Sequence, residues 1–139
     1  MNLGKEEEND IRWRQRYVNF SKSYALLADT IQIKAPSNAE RAGLIQFFEM
    51  TFELSWKLMK DYLEAGGFRI GSPREAVKQA FQSGLLDDGH PWLDALHNRD
   101  LTTHTYDENT AILVEDKIRK KYFPMLNKLH CDFEKLFKK

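Results

Sequence analysis

The chain has 139 residues, of which 42% are hydrophobic and 30% are charged, a balance that excludes a disordered or membrane-embedded protein and is typical of a globular domain. Its 21 Lys and Arg residues equal its 21 Asp and Glu residues, so no overall field attracts nucleic acid and any such site must be local. The length predicts one domain.

The first ten residues are polar and acidic, with glutamates at positions 6–8. They do not resemble a signal peptide, and no later apolar run is long enough for a membrane span, which predicts a cytoplasmic protein without a membrane partner. We expect residues 1–8 to form a flexible acidic tail and residues 9–139 to form the single domain. The lone cysteine, Cys131, has apolar neighbours, and we expect it to be a buried structural thiol.

Two long helices are predicted first. Apolar residues at steps of three and four predict a helix over residues 9–33, ended by Pro36. Its inner face contains Trp13, Tyr17, Phe20, Tyr24, Leu27 and Ile31. Ser37 and Glu40 form a capping-box pattern that starts the second helix, and the Gly66-Gly67 pair ends it. Its inner face contains Leu44, Phe47, Phe48, Thr51, Phe52, Ser55, Leu58, Met59 and Tyr62.

A short third helix is predicted between two turn signals. Ser72 and Glu75 repeat the capping-box spacing, and Pro73 occupies the first helical position, where its missing N–H costs nothing. This helix should end near Gln82, with Gly84 closing it.

The last third of the chain predicts two more helices. One starts at residue 88 or 89 and carries Arg99 at its far end. Asp107 supplies an N-cap for a long final helix, which Pro124 should kink. Its inner face contains Ile112, Leu113, Ile118, Tyr122, Leu126, Leu129, Phe133 and Phe137. With no strand pattern, the chain predicts an all-α antiparallel four-helix up-and-down bundle with one short extra helix.

Arg99, His104 and Tyr106 place three different functional groups within eight residues. Arginine pairs with phosphate oxygens, and histidine exchanges a proton near neutral pH. On a regular helix Arg99 and His104 would point about 140° apart. Either the helix breaks between them, which Thr102-Thr103 would allow, or two chains build the site together. The other interpretation is that both are ordinary surface or capping residues.

An arginine and a histidine together suit phosphodiester chemistry, and one such reaction, metal-free cleavage of RNA, would favour two chains. Cleavage through the 2′-hydroxyl requires one group that removes a proton and another that donates one, and a single imidazole cannot do both in one step. A homodimer would supply two copies of His104. His90, His97 and His104 recur every seven residues, about 10.5 Å apart on a helix, which is too far for two ligands of one zinc ion. We therefore predict no metal and no other cofactor.

The pattern of Arg99, four residues, His104, one residue and Tyr106 resembles the signature of the HEPN superfamily of helical-bundle proteins. Within it, the sequence is similar to the nucleotidyltransferase substrate-binding proteins, which are encoded beside a minimal nucleotidyltransferase. Residues 47–57 and 72–76 resemble the second and third helices of that group. Because Asp87-Asp88 lacks the context of a nucleotidyltransferase metal site, this chain is not expected to be the transferase itself.

The resemblance implies a cognate minimal nucleotidyltransferase as partner. It also implies a metal-independent endoribonuclease of the toxin–antitoxin type, in which Arg99 and His104 are catalytic and Asp100 supports them. In such pairs the tyrosine at the position of Tyr106 receives a nucleotidyl group from the partner, which silences the site. The alternative is a non-catalytic subunit that binds a substrate or nucleotide for the transferase.

Overall fold

The computed structural model describes residues 3–139 and contains, within them, six α-helices and no strand. The helices are Leu3–Ile31 (α1), Asn38–Ala65 (α2), Pro73–Gln82 (α3), His90–His97 (α4), Glu108–Lys117 (α5) and Phe123–Phe137 (α6). A 3₁₀ helix, Arg99–His104, links α4 to α5, and a π-helical turn, Ile118–Tyr122, joins α5 to α6. The predicted all-helical bundle is confirmed. Over the described residues, no helix has the length and apolar character needed to span a membrane.

Helix α1 begins at Leu3, well before the predicted start at residue 9. The glutamates at positions 6–8 have good helix propensity, and negative charge is favoured near a helix N-terminus. The predicted tail of residues 1–8 is therefore helical from Leu3 onward, and its first two residues lie outside the described part of the chain.

Helices α1 and α2 pack against each other in opposite directions. Ser23 shares a 2.7 Å hydrogen bond with Thr51, and Arg16 Nε lies 2.9 Å from a carboxylate oxygen of Asp61. The residue number rises on one helix as it falls on the other, which defines an antiparallel pair. Because the Asp61 side chain is only 3% exposed, its charge depends on this arginine for compensation.

Helix α6 also runs antiparallel to α1. Near one end of the bundle, Arg14 donates a 2.8 Å hydrogen bond to the carbonyl oxygen of Phe137. Near the other end, Arg119 donates to the carbonyl oxygens of Ile31 and Ile33 at 2.6 and 2.7 Å. These carbonyls lie at and just beyond the end of α1, where no intrahelical donor reaches them. Arg119 thereby ties the last helices to the first.

The two predicted capping boxes differ in one bond. At α2 both bonds form: Glu40 N donates to Ser37 Oγ at 3.1 Å and Ser37 N donates to Glu40 Oε1 at 2.9 Å. At α3, Glu75 N donates to Ser72 Oγ, but the Glu75 carboxylate accepts from the backbone N of Gly71 at 2.7 Å. Glycine permits this approach, because a Cβ on Gly71 would lie 3.2 Å from that carboxylate oxygen.

The inner face of α5 differs from the prediction. Ile112 and Leu113 are 45% and 48% exposed, whereas Ala111 and Val114 are buried. Residues 111, 114 and 118 form one buried stripe at helical spacing. Ile112 and Leu113 are more apolar than Ala111 and Val114, but they lie beside this stripe and not in it. Two large aliphatic side chains of α5 are therefore left on the surface.

Helix α6 also carries a residue whose predicted environment was wrong. Cys131 is exposed, because Leu129 and Phe133 face the core and the residue midway between them points to the opposite side.

Upstream, the predicted interruption at Pro124 takes the form of the π turn, in which Phe123 N donates to the carbonyl oxygen of Ile118. Proline has no N–H to continue the regular pattern.

Candidate functional site

The motif begins where α4 ends. Asn98 has φ −96° and ψ 14°, and the chain continues from Arg99 as a 3₁₀ helix. The helix therefore breaks just before Arg99 and not at Thr102-Thr103. The hydroxyls of Thr102 and Thr103 instead donate to the carbonyl oxygens of Arg99 and Asp100, each at 2.7 Å. These bonds stabilise the 3₁₀ turn that presents the motif.

A buried tyrosine holds the start of the motif in place. Tyr122, in the π turn, donates a 2.6 Å hydrogen bond to Asp94 and accepts a 3.3 Å bond from the side chain of Asn98. Lys121 lies 3.2 Å from the same aspartate. Burial and the Asp94 carboxylate raise the pKa of Tyr122 to about 12, so the phenol stays protonated. The sequence predicted Tyr122 as a core residue but did not predict its polar partners. The only signal for them was the i,i+4 spacing of Asp94 and Asn98.

Tyr122→Phe should lower the free energy of unfolding by about 1–2 kcal/mol, because Asp94 and Asn98 each lose a partner in a mostly buried setting. Urea denaturation measures this change. Tyr106→Phe is the matched control, since it removes a hydroxyl from an exposed ring and should change stability by less than about 0.5 kcal/mol. An equal effect of both substitutions would contradict a structural role for the Tyr122 hydroxyl.

The same variant tests the raised pKa of Tyr122. A group whose pKa is higher in the folded state stabilises the fold below its unfolded pKa, and this contribution is lost as the pH rises through the folded value. The stability difference between wild type and Tyr122→Phe should therefore shrink as the pH rises from 10.0 to about 12.

A cleft of about 480 Å³ lies between α2, the end of α4, the 3₁₀ helix and α5. The buried rings of Phe48 and Phe52 contribute to its apolar part. Its charged and titratable lining consists of Glu49, Glu53, Arg99, Asp100, His104, Lys117 and Tyr122. The structure thus brings Arg99, Asp100 and His104 to one cleft, which we call the motif cleft. The three residues nevertheless occupy different positions around the axis of the 3₁₀ helix.

Arg99 is paired with a residue from another helix. Its Nη2 lies 3.0 Å from Oε2 of Glu53, whose other oxygen lies 3.7 Å from Nζ of Lys57. The side chains of Arg99 and Glu53 are 46% and 38% exposed, so this ion pair is weak and exchangeable. Glu49 and Glu53 were missed as site residues. Their signal was two carboxylates at i,i+4 spacing within residues 47–57.

His104 and Tyr106 contact each other at the edge of the cleft. The Tyr106 hydroxyl lies 3.4 Å from Nδ1 of His104, and the two rings are nearly perpendicular. If the hydroxyl donates, the neutral imidazole carries its proton on Nε2. Tyr106 does not line the cleft, and at 86% exposure it is not a packing residue of this chain.

The other histidines do not extend the site. His90 Nδ1 lies 2.8 Å from the carboxylate of Asp88, outside the motif cleft. In the part of the chain that the structure describes, no three His, Cys, Asp or Glu side chains converge as a set of metal ligands.

Comparison with known proteins assigns the chain to a family. A family model described as "Nucleotidyltransferase substrate binding protein like" matches residues 15–135, which is most of the chain. The protein belongs to this family. The resemblance to the nucleotidyltransferase substrate-binding group of the HEPN superfamily is thereby confirmed.

Two similar proteins, one compared by sequence and one by structure, illustrate the relationship. "Probable ribonuclease HepT" of Haemophilus influenzae (strain ATCC 51907 / DSM 11121 / KW20 / Rd) is 35% identical over 82 residues, which cover 55% of this chain and 56% of the relative. The chain thus spans little more than half of that relative's length. A crystal structure of a protein from Thermus thermophilus has a TM-score of 0.72 and 30% identity, covering 86% of this chain and 99% of that one.

Proposed function

We propose that this protein is the partner subunit of a separate small nucleotidyltransferase and, as a homodimer, a metal-independent endoribonuclease. The observation that carries the proposal is the open cleft that holds Arg99, Asp100 and His104 together. The family assignment and the name of the Haemophilus relative support it. Its test is cleavage of RNA by the purified protein in the presence of EDTA.

The proposed reaction uses two imidazoles and two guanidiniums. The 2′-hydroxyl oxygen of RNA forms a bond to the adjacent phosphorus while one His104 removes its proton. The bond from phosphorus to the 5′-oxygen breaks, and the second copy's His104 donates a proton to that oxygen. The products are a 2′,3′-cyclic phosphate and a 5′-hydroxyl. Arg99 stabilises the charge of the phosphorane, and Asp100 has a supporting role.

Substrate binding would exchange one anion for another at Arg99. An RNA phosphate matches the guanidinium fork as well as the Glu53 carboxylate does. Lys57 already lies within ion-pair distance of Glu53, so the displaced carboxylate keeps a cation beside it. The resting ion pair then costs little to open.

Tyr106 is the proposed site of modification by the transferase. Its phenol oxygen would form a bond to the α-phosphorus of a nucleoside triphosphate, pyrophosphate would leave, and a base of the transferase would take the phenol proton. The exposure of the ring and its 3.4 Å contact with His104 support this role. A nucleotidyl group there would place a new phosphate beside the imidazole that RNA requires.

Dimerisation is expected because each chain supplies one motif histidine. The exposed side chains of Ile112 and Leu113 follow the motif on α5 and are suited to a two-fold contact. Sedimentation at micromolar concentration should show a dimer, and Leu113→Glu should convert it to a monomer. Ile11→Glu, at the opposite end of the bundle and 54% exposed, is the control and should remain dimeric. A monomeric wild-type protein would rule out the two-chain site.

A further inference from the structure

A second depression, of about 400 Å³, lies at the far end of α2 from the motif. It is lined by Asn9, Arg12, Glu64, Gly67, Phe68 and Arg69, and we call it the end depression. Phe68 is 42% exposed, because Gly67, with φ 98°, turns the chain out of α2 just before it. An exposed ring therefore lies beside two guanidinium groups.

The two arginines differ from Lys120 and Lys128 in the last third of the chain. In the described part of the chain, neither Arg12 nor Arg69 has an ion-pair or hydrogen-bond partner. By contrast, Lys120 lies 2.9 Å from Asp116, and Lys128 lies 3.1 Å from Asp132. On a molecule with no net charge, an anionic ligand at the end depression would meet these two guanidiniums, and the one carboxylate in the lining, Glu64, already lies 3.1 Å from Nζ of Lys60.

One face of α2 connects the end depression with the motif cleft. Glu53 lines the cleft and Glu64 lines the depression. Over eleven residues an α-helix turns by about 1,100°, so Glu53 and Glu64 are only about 20° apart around the helix axis and about 16 Å apart along it. Between them, Lys57 pairs with Glu53 and Lys60 pairs with Glu64. Glu53 and Glu64 therefore lie on one face of α2, each at the edge of one of the two sites.

We propose that the end depression binds single-stranded RNA on one side of the phosphate that is cleaved in the motif cleft. This inference rests on the proposed ribonuclease function. Arg12 and Arg69 bind backbone phosphates, and the Phe68 ring stacks on a base, the combination by which proteins hold single strands without reading their sequence. At about 3.4 Å per nucleotide, the 16 Å separation corresponds to about five nucleotides.

The test measures binding of 2′-deoxy oligonucleotides, which lack the attacking hydroxyl and are not cleaved. Fluorescence anisotropy compares a strand of about 15 nucleotides, which reaches both sites, with one of about four, which fills only the cleft. Arg12→Ala/Arg69→Ala should weaken binding of the longer strand about tenfold and reduce the salt dependence of log K by about 1.4, or 0.7 per lost phosphate contact. Phe68→Ala should weaken it about fivefold or more. Binding of the short strand should not change.

The control is Lys120→Ala/Lys128→Ala, which removes the same charge from a face where the lysines are already paired and should change affinity less than about twofold. Circular dichroism checks that each variant is folded. The inference is overturned if the arginine variant binds the long strand as tightly as the wild type does, or if its affinity for both strands falls equally. Loss of transferase binding with RNA binding intact would assign the surface to a protein partner instead.

The two proposals fail in different ways. If the wild type cleaves no RNA but binds the long strand through Arg12 and Arg69, the ribonuclease proposal is wrong and the RNA surface stands. If cleavage depends on His104 while the arginine variant binds the long strand like the wild type, the ribonuclease proposal stands and the RNA surface is wrong.

Discussion

His104→Ala and Arg99→Ala should each reduce RNA cleavage by the purified protein in EDTA by about 10²- to 10⁴-fold. His104 is assigned both proton transfers, one from each chain, and Arg99 is assigned the charge that develops on the phosphorane. Groups that act as one unit lose most of the activity when either is removed, so the double variant should be little worse than each single one. Release of a fluorophore from a quenched RNA measures the rate.

His97→Ala is the matched control for this prediction. His97 is an exposed histidine at the end of α4 that does not line the cleft, and its removal should leave the rate unchanged. Activity that survives both motif substitutions would indicate a contaminating nuclease. A wild-type protein that cleaves no RNA would favour the alternative of a non-catalytic subunit that binds a substrate or nucleotide for the transferase.

Mixing experiments distinguish a site shared by two chains from a site within one chain. After subunit exchange between wild type and His104→Ala, a shared site is complete only in wild-type homodimers. Activity should then fall as the square of the wild-type fraction. A linear fall would show that each chain carries its own complete site.

Tyr106→Phe should abolish nucleotidylation when the protein is co-expressed with its proposed nucleotidyltransferase partner. The substitution removes only the nucleophilic oxygen and leaves the exposed ring, so the fold and the complex should persist. Intact-mass spectrometry should show added nucleotidyl mass on the wild type and none on the variant. The modified dimer should also bind RNA poorly, because each group adds about one negative charge near a site whose affinity depends on Arg99 and phosphate.

Two controls separate this modification from general damage to the site. Tyr62→Phe removes the hydroxyl of a partly buried tyrosine, and His104→Ala removes the neighbouring imidazole while Tyr106 keeps its hydroxyl. Both variants should still be modified. An unmodified Tyr106 in a complex that nevertheless forms tightly would contradict control by nucleotidylation, and the protein would then be described as a binding partner only.

Much of the fold was predictable because its signals are local. Ser37, Ser72 and Asp107 each accept a hydrogen bond from a backbone N–H three residues later, so residue type and spacing suffice to place three helix starts. The exposure of Cys131 and Leu113 was not predictable in this way. Apolar character marks the core side of a helix only on average, and the neighbouring helices decide which positions they cover.

The sequence by itself determined that Arg99, His104 and Tyr106 lie within eight residues and that helices surround them. Only the tertiary structure decided what faces these groups. Glu53, which is 46 positions from Arg99, reaches it because α2 packs beside the 3₁₀ helix, and no periodicity encodes that distance. The exposure of Tyr106 was decided in the same way. Local hydrogen bonds depend on neighbours in the chain, whereas clefts and ion pairs between helices depend on how whole helix faces pack.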